Sequence, residues 1–149
     1  MWRRIIVSTD MSALPSLLVA ASAAVILLLG LLHLVFTFYG PKLLPRDREL
    51  QARMQEVSPV LTRQTTMWKA WIGFNASHSL GAILFGAVYG YLSLAHPVFL
   101  FQSTFLLLLG LAFLSAFVFL GKRYWFSIPF RGILLATVLY AGALIITWA

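Results

Sequence analysis

The sequence predicts an all-α fold, a four-helix transmembrane bundle, and three observations lead to that prediction. Residues 70–121 contain no charged side chain, and a run of that length fits two passes, because about 20 apolar residues cross about 30 Å of hydrocarbon. Residues 11–41 and 132–149 are uncharged as well. Charged residues make up 10% of the chain and hydrophobic residues 61%, whereas a soluble domain is about 25% charged.

The ends of the predicted helices follow from turn residues and charges. The first apolar run ends at Gly40-Pro41, and the long second run divides at His96-Pro97. Prolines open the third and fourth spans, where the missing N–H would have no intrahelical partner. The predicted spans are residues 12–39, 66–95, 97–120 and 129–148. We expect them to form a single integral membrane domain over residues 1–149.

The first predicted loop, residues 40–65, is the main polar segment. Within it, residues 46–57 place Leu50, Met54 and Val57 on one side of a helix, which makes a narrow apolar stripe. The prediction is a short cytoplasmic amphipathic helix between the first two spans that lies on the lipid headgroups. A solvated helix is the alternative.

The uneven distribution of Lys and Arg predicts the orientation. Nine of these residues lie at the end of the spans that carries the loops 40–65 and 121–129, and two lie at the other end. The positive-inside rule then places both loops in the cytoplasm and both termini on the opposite side. The nine are Lys42, Arg46, Arg48, Arg53, Arg63, Lys69, Lys122, Arg123 and Arg131, and the two are Arg3 and Arg4.

Aromatic residues flank the predicted spans at both ends. Their amphipathic rings favour the membrane interface, so we expect two aromatic belts. The cytoplasmic belt would contain Phe36, Phe38, Tyr39, Trp68, Trp71, Tyr124, Trp125 and Phe126, and the outer belt Tyr89, Tyr91, Phe99, Phe101 and Trp148.

Composition excludes several classes of function. The chain has no cysteine, which rules out Cys-ligated zinc, iron–sulfur clusters and thiol redox chemistry. It also contains no H-E-x-x-H helix, no G-x-S-x-G elbow and no phosphate-binding glycine loop. The net charge of +7 is explained by anionic lipid beside the basic loops. We therefore expect membrane lipids as partners, and no nucleic acid.

The main candidate site is a pair of histidines inside the predicted spans. His33 precedes Lys42 by nine residues and His78 follows Lys69 by nine, which is about 13–14 Å of helix in each case. The two imidazoles should lie at one depth on neighbouring helices, since a short connection favours packing of the first two spans. Ionisable residues inside a membrane are functional candidates.

Three other polar residues accompany this pair. Asn75 and Ser79 lie close to His78, and Thr37 lies one turn beyond His33. The predicted ligand-binding residues are therefore His33, Thr37, Asn75, His78 and Ser79. Small residues continue the same face of span 2 and permit close approach of another helix. They are Ala82, Gly86 and Gly90.

Four interpretations of this cluster stay open. The polar groups join helices through hydrogen bonds and do nothing else, or they bind the polar head of a lipid, quinone or sterol. Alternatively, His33 and His78 ligate haem b, since imidazole is a good iron ligand. In the last interpretation the pair relays protons or binds a metal, although no predicted span contains Asp or Glu to complete a metal site.

The four-span plan, the length and the polar first loop resemble the MAPEG family, small trimeric membrane proteins of eicosanoid and glutathione metabolism. That family has Asn followed three residues later by Glu in its second helix; here Asn75 is followed by His78. Residues 124–132 (YWFSIPFRG) are similar to the family's tyrosine and arginine near the last loop. The resemblance implies an enzyme that uses glutathione on a lipophilic substrate.

A second resemblance is to small four-helix proteins of the bacterial inner membrane. Those proteins carry G-x-x-H-L late in helix 1 and G-F-N-x-S-H-S in helix 2; this chain has GLLHL at 30–34 and GFNASHS at 73–79. The resemblance implies a bacterial inner membrane, and it implies no activity. With the orientation that the positive-inside rule predicts, both termini of this multi-pass protein would be periplasmic.

The expected function is that of a small, non-catalytic polytopic membrane protein. It would bind a lipophilic small molecule, or act as an accessory subunit of a larger membrane complex, as a homo-oligomer or with other membrane subunits. The alternatives are a MAPEG-like enzyme that uses glutathione and a haem b electron-transfer subunit.

Overall fold

The structure, a computed structural model, describes the backbone of residues 2–149 and the side chains from Ala13 onward. The helices are α1 (Trp2–Phe38), α2 (Arg48–Glu56), α3 (Met67–Ala95), α4 (Pro97–Gln102), α5 (Thr104–Tyr124) and α6 (Ser127–Trp148), and no strand occurs in this range. Helices α1, α3, α5 and α6 are long and apolar enough to cross a membrane. The predicted all-α fold with four spanning helices is therefore confirmed. The side chains of Arg3 and Arg4, which entered the charge count, lie outside the described ones.

Two of the four spans, those of α3 and α6, begin and end close to their predicted positions. Helix α3 begins within one residue of its predicted start, and α6 begins two residues earlier than predicted. Helix α1 begins at Trp2, well before the predicted start, and its candidate membrane span is Ala13–Phe38. These helices end where the sequence offers Gly40, His96-Pro97 or the end of the apolar run.

The third span begins later than predicted. The prediction opens it at Pro97, but the chain forms the short helix α4 there and α5 begins at Thr104. Ser103 separates the two helices because its side chain accepts a hydrogen bond from the Leu106 amide (3.3 Å) and caps α5. The first amides of a helix lack intrahelical partners, and a serine oxygen supplies one. Helix α5 still has 21 residues, or about 31 Å of helix.

The chain divides into two compact units. Unit 1 contains Met1–Leu29 and Ile83–Ala149, and unit 2 contains Gly30–Ala82. Helices α1 and α3 contribute residues to both units. The single domain expected over residues 1–149 stays a prediction.

Aromatic rings form a continuous column in unit 1, and three of them, Phe85, Tyr89 and Tyr140, are buried in its core. Neighbouring ring centroids lie 4.4 to 5.9 Å apart, a spacing at which stacked and edge-to-face pairs stabilise a fold. In order of contact, the column consists of Tyr140, Tyr89, Phe85, Phe113, Phe117 and Trp125. Tyr89 is 5% exposed. Its predicted place in the outer aromatic belt is therefore wrong, and it belongs to the core.

The two tyrosines of this column are anchored to the backbone of α5. The Tyr89 hydroxyl donates to the Leu106 carbonyl (2.7 Å), and the Tyr140 hydroxyl donates to the Leu107 carbonyl (3.1 Å). A phenol surrounded by apolar groups needs such a partner. The two bonds therefore fix α3 and α6 against α5.

Helices α1 and α3 approach each other closely within unit 1. A Cβ atom added at Gly86 would lie 2.6 Å from the Leu27 Cβ and 2.8 Å from the Ala23 carbonyl oxygen. At Gly90 the added atom would be 3.7 Å from the Ala23 Cβ, an ordinary contact. The close approach predicted for the small-residue face of α3 is confirmed.

Unit 2 contains the polar connection between α1 and α3. Gly40 has a positive φ of 85° just after the end of α1, a conformation that glycine adopts without steric cost. The Asp47 carboxylate caps α2 by accepting from the Glu49 amide (2.9 Å). Helix α2 has no buried residue, and it covers most of the predicted residues 46–57.

Candidate functional site

His33 and His78 lie together in unit 2. Their ring centroids are 5.5 Å apart and their planes meet at 81°, an edge-to-face arrangement. His33 belongs to α1 and His78 to α3, and both side chains are partly exposed. Their predicted proximity is confirmed, and their role in ligand binding stays a prediction.

Asn75 fixes the orientation of the His33 ring. Its amide nitrogen donates to the Trp71 carbonyl oxygen (2.8 Å), and its amide oxygen lies 3.0 Å from Nε2 of His33. A carbonyl oxygen only accepts, so the nitrogen of the amide must face Trp71 and the oxygen must face His33. Nε2 of His33 therefore donates the bond. In the neutral ring, Nδ1 is then the acceptor.

The hydroxyl groups of Thr37 and Ser79 do not join this network. Thr37 donates to the His33 carbonyl (2.8 Å) and Ser79 donates to the Asn75 carbonyl (2.8 Å), each four residues back on its own helix. Hydroxyls in helices often form this bond. Both residues are buried. The predicted five-residue site thus has a centre of three side chains, His33, Asn75 and His78, which we call the imidazole cluster.

Two aromatic residues border the imidazole cluster, and sequence reasoning did not assign them to the site. The Phe74 ring stacks on the His78 ring, with centroids 6.3 Å apart and planes 10° apart. Phe74 is 68% exposed and Trp71 is 40% exposed. Phe74 and Trp71 each precede a cluster residue by four positions, and that spacing places side chains on one helix face. The spacing could therefore have identified them.

A basic residue lies close to the end of α1 that carries the cluster. The Lys42 ammonium is 4.0 Å from the centroid of the Phe36 ring, a cation–π contact. Its methylene chain can cover apolar surface while its charge stays near the headgroups. This contact agrees with a polar boundary near the end of α1.

The imidazole cluster as it stands does not fit an iron between its two rings. Two imidazoles that bind a haem iron from opposite faces, each with its nitrogen about 2.0 Å from the metal, place their ring centres about 6 Å apart. Here they are 5.5 Å apart, and Nε2 of His33 already contacts Asn75. Haem b between the two rings would require them to separate, and Nδ1 of His33 is the nitrogen left to bind iron. Among the side chains from Ala13 onward, no group of three or more His, Cys, Asp or Glu could hold a metal ion.

No protein family, curated protein or solved structure gives a significant match to this chain. The MAPEG resemblance rests on the four-span plan, on Asn75 and on residues 124–132. In the structure, the Asn75 amide contacts Trp71 and His33, and His78 stacks on Phe74.

Proposed function

We propose that this multi-pass membrane protein binds a lipophilic small molecule at the imidazole cluster, without catalysing a reaction. The main support is the partial exposure of the His33 imidazole inside a candidate span, in a cluster bordered by the exposed Phe74 ring. Polar groups exposed to hydrocarbon cost free energy unless a polar partner covers them. A ligand with a polar head and an apolar body supplies both the partner and the cover.

The hydrogen-bond pattern favours a ligand whose head is a donor. His33 uses Nε2 to donate to Asn75, so its Nδ1 accepts in the neutral ring. A hydroxyl complements that atom, whereas a ketone or an ester does not. Phe74 and Trp71 offer exposed apolar surface to the ligand body. The proposed class is therefore a membrane-dissolved alcohol, such as a diacylglycerol, a quinol or a sterol-like lipid.

The proposal predicts that His33→Phe weakens the binding of a photoactivatable diacylglycerol by about tenfold. An interhelical hydrogen bond within a membrane contributes about 1–2 kcal/mol at most, and about 1.4 kcal/mol corresponds to a factor of ten. The measurement is photolabelling in nanodiscs against competing unlabelled diacylglycerol. A photoactivatable phosphatidylcholine, whose head has no hydrogen-bond donor, measures the non-specific labelling by bulk lipid.

Ser77→Ala is the matched control for this experiment. The Ser77 hydroxyl donates to the Phe74 carbonyl (3.0 Å) and is exposed one residue from His78, so its loss should leave labelling unchanged. Equal labelling of the wild-type and His33→Phe proteins, both folded, would contradict the proposal. Stoichiometric co-purification of a second membrane protein that shields the cluster would instead favour an accessory subunit. Glutathione retention by a trimer would favour the MAPEG-like enzyme.

We also propose that the protein lies in the bacterial inner membrane with residues 40–65 and 121–129 in the cytoplasm. Because the chain has no cysteine, single cysteines report the orientation directly. In intact spheroplasts, a membrane-impermeant maleimide should label the Gln102→Cys variant but not the Gln55→Cys variant. After permeabilisation it should label both variants. Both glutamines are exposed, so burial does not explain a difference. Labelling of Gln55→Cys in intact spheroplasts would reverse the proposed orientation.

A further inference from the structure

Two aliphatic side chains stand fully exposed at the tip of a turn in unit 2. The Thr62 amide donates to the Pro59 carbonyl (3.2 Å), which makes Val60 and Leu61 the central residues of the turn. The Leu61 side chain is 93% exposed, and the Val60 side chain is fully exposed. Turn centres favour Gly, Asn, Asp, Pro and Ser. A Val-Leu pair at this position has no role in the turn itself.

Hydrogen bonds on both sides hold this turn in place. The Met67 amide donates to the Val57 carbonyl (2.8 Å) and closes the segment into a loop. Within the loop, the Gln64 amide donates to the Thr62 hydroxyl oxygen (3.1 Å). The exposure of the two aliphatic residues therefore follows from a bonded loop geometry.

The loop closure places the turn beside the start of a membrane span. Met67 is the first residue of α3 and of its candidate span. Val57 is hydrogen-bonded to Met67. Val60 and Leu61 lie three and four residues beyond Val57, so they are at most about 14 Å from Val57 along the chain. That reach includes the boundary between headgroups and acyl chains.

The charges of this loop suit an anionic surface. Residues 57–69 contain Arg63 and Lys69 and no acidic residue. The acidic residue closest before the loop, Glu56, lies 3.8 Å from Arg53. Arg63 is exposed and lies two residues after Leu61. Basic residues beside an apolar insertion bind membranes that contain anionic lipid.

We infer that the Pro59–Thr62 turn is a membrane-surface anchor: Val60 and Leu61 insert into the boundary of a bilayer, and Arg63 binds the phosphate of an anionic lipid. This anchor is independent of any ligand at the imidazole cluster. It predicts that unit 2 binds bilayers that contain phosphatidylglycerol more closely than bilayers of phosphatidylcholine alone.

The test uses the full chain in nanodiscs with one engineered cysteine that carries an environment-sensitive fluorophore. With the label at Leu61→Cys, emission should shift to the blue in phosphatidylcholine–phosphatidylglycerol discs, and less in phosphatidylcholine discs. Ala52→Cys is the matched control, because Ala52 is exposed and lies on the side of α2 opposite Leu50 and Met54. Its emission should be that of a label in water in both discs. When Arg63→Gln is added to the labelled Leu61→Cys variant, the emission of the label should be the same in the two kinds of disc.

Two results would overturn the anchor. In the first, the label at residue 61 reports water in both kinds of disc, as the label at residue 52 does. In the second, the blue shift persists unchanged when Val60→Asn and Arg63→Gln are added, which would mean that the fluorophore itself drives insertion. These exposed substitutions remove no described contact that holds the fold, so α-helical circular dichroism should stay unchanged.

Discussion

Gly86→Ala is expected to lower the free energy of unfolding by about 2–3 kcal/mol, at the upper end of the range for overpacked cores. The new methyl carbon would lie 2.8 Å from the Ala23 carbonyl oxygen and 2.9 Å from the Leu27 Cα. Both are backbone atoms of α1, so no side chain can rotate to relieve the overlap. Helices α1 and α3 would have to separate within unit 1, and the packing around Gly86 would be lost.

Gly81→Ala is the control for this prediction. Gly81 lies five residues earlier on α3, and a Cβ there would meet nothing within 4 Å. Alanine favours a helix over glycine by about 0.5–1 kcal/mol, so this variant should be as stable as the wild type or more stable. The measurement is reversible unfolding in mixed micelles. Equal stability of the two variants would show that the α1–α3 contact at Gly86 is not as close as described.

Most of the fold could be predicted because charge is so costly inside a bilayer. Runs without charged residues mark the spans whatever their packing, and α3 begins within one residue of its prediction. Ser103 shows the limit of that reasoning. It lies in an apolar run, and its capping bond to the Leu106 amide depends on local geometry that composition does not reveal.

The faces of the helices were harder to predict than their ends. Tyr89 and Tyr91 are two residues apart and were both expected in the outer belt, yet Tyr89 is 5% exposed and Tyr91 is 61% exposed. Two residues correspond to about 200° around a helix, so the two rings point to opposite sides. Depth decides whether a residue can belong to a belt, but direction decides whether it reaches lipid. The sequence alone indicated the depth.

The candidate site was predicted in part for the same reason. The nine-residue spacings from Lys42 and Lys69 gave the common depth of His33 and His78. The bond between His33 and Asn75 depends on how two helices are rotated about their axes, which a single sequence does not specify. The bonds of Thr37 and Ser79 to their own helices could have been predicted, because hydroxyls in helices commonly bond to the carbonyl four residues back.

Gly110→Ala is expected to destabilise the protein by about 2–3 kcal/mol, because it overfills the aromatic column. The new methyl carbon would overlap the Tyr140 hydroxyl and would lie 2.7 Å from the Tyr140 Cζ and 2.8 Å from the Tyr89 Cε1. Tyr140 is fully buried, so its ring has no free volume to enter. The two tyrosines would also lose the alignment of their hydroxyls with the α5 carbonyls.

Tyr140→Phe distinguishes steric overlap from a general loss of helix packing. Alone, it removes the bond to the Leu107 carbonyl and should cost about 0.6 kcal/mol, a typical value for such bonds in membranes. In the double variant, Tyr140→Phe should restore about 1 kcal/mol of the free energy of unfolding that Gly110→Ala removes, because the overlapping oxygen is gone and only the ring contacts remain. Coupling of that size is measurable in a double-mutant cycle. Strict additivity of the two substitutions would contradict a direct contact between Gly110 and the Tyr140 hydroxyl. It would then follow that the glycine serves α5 in some way other than by leaving room for that hydroxyl.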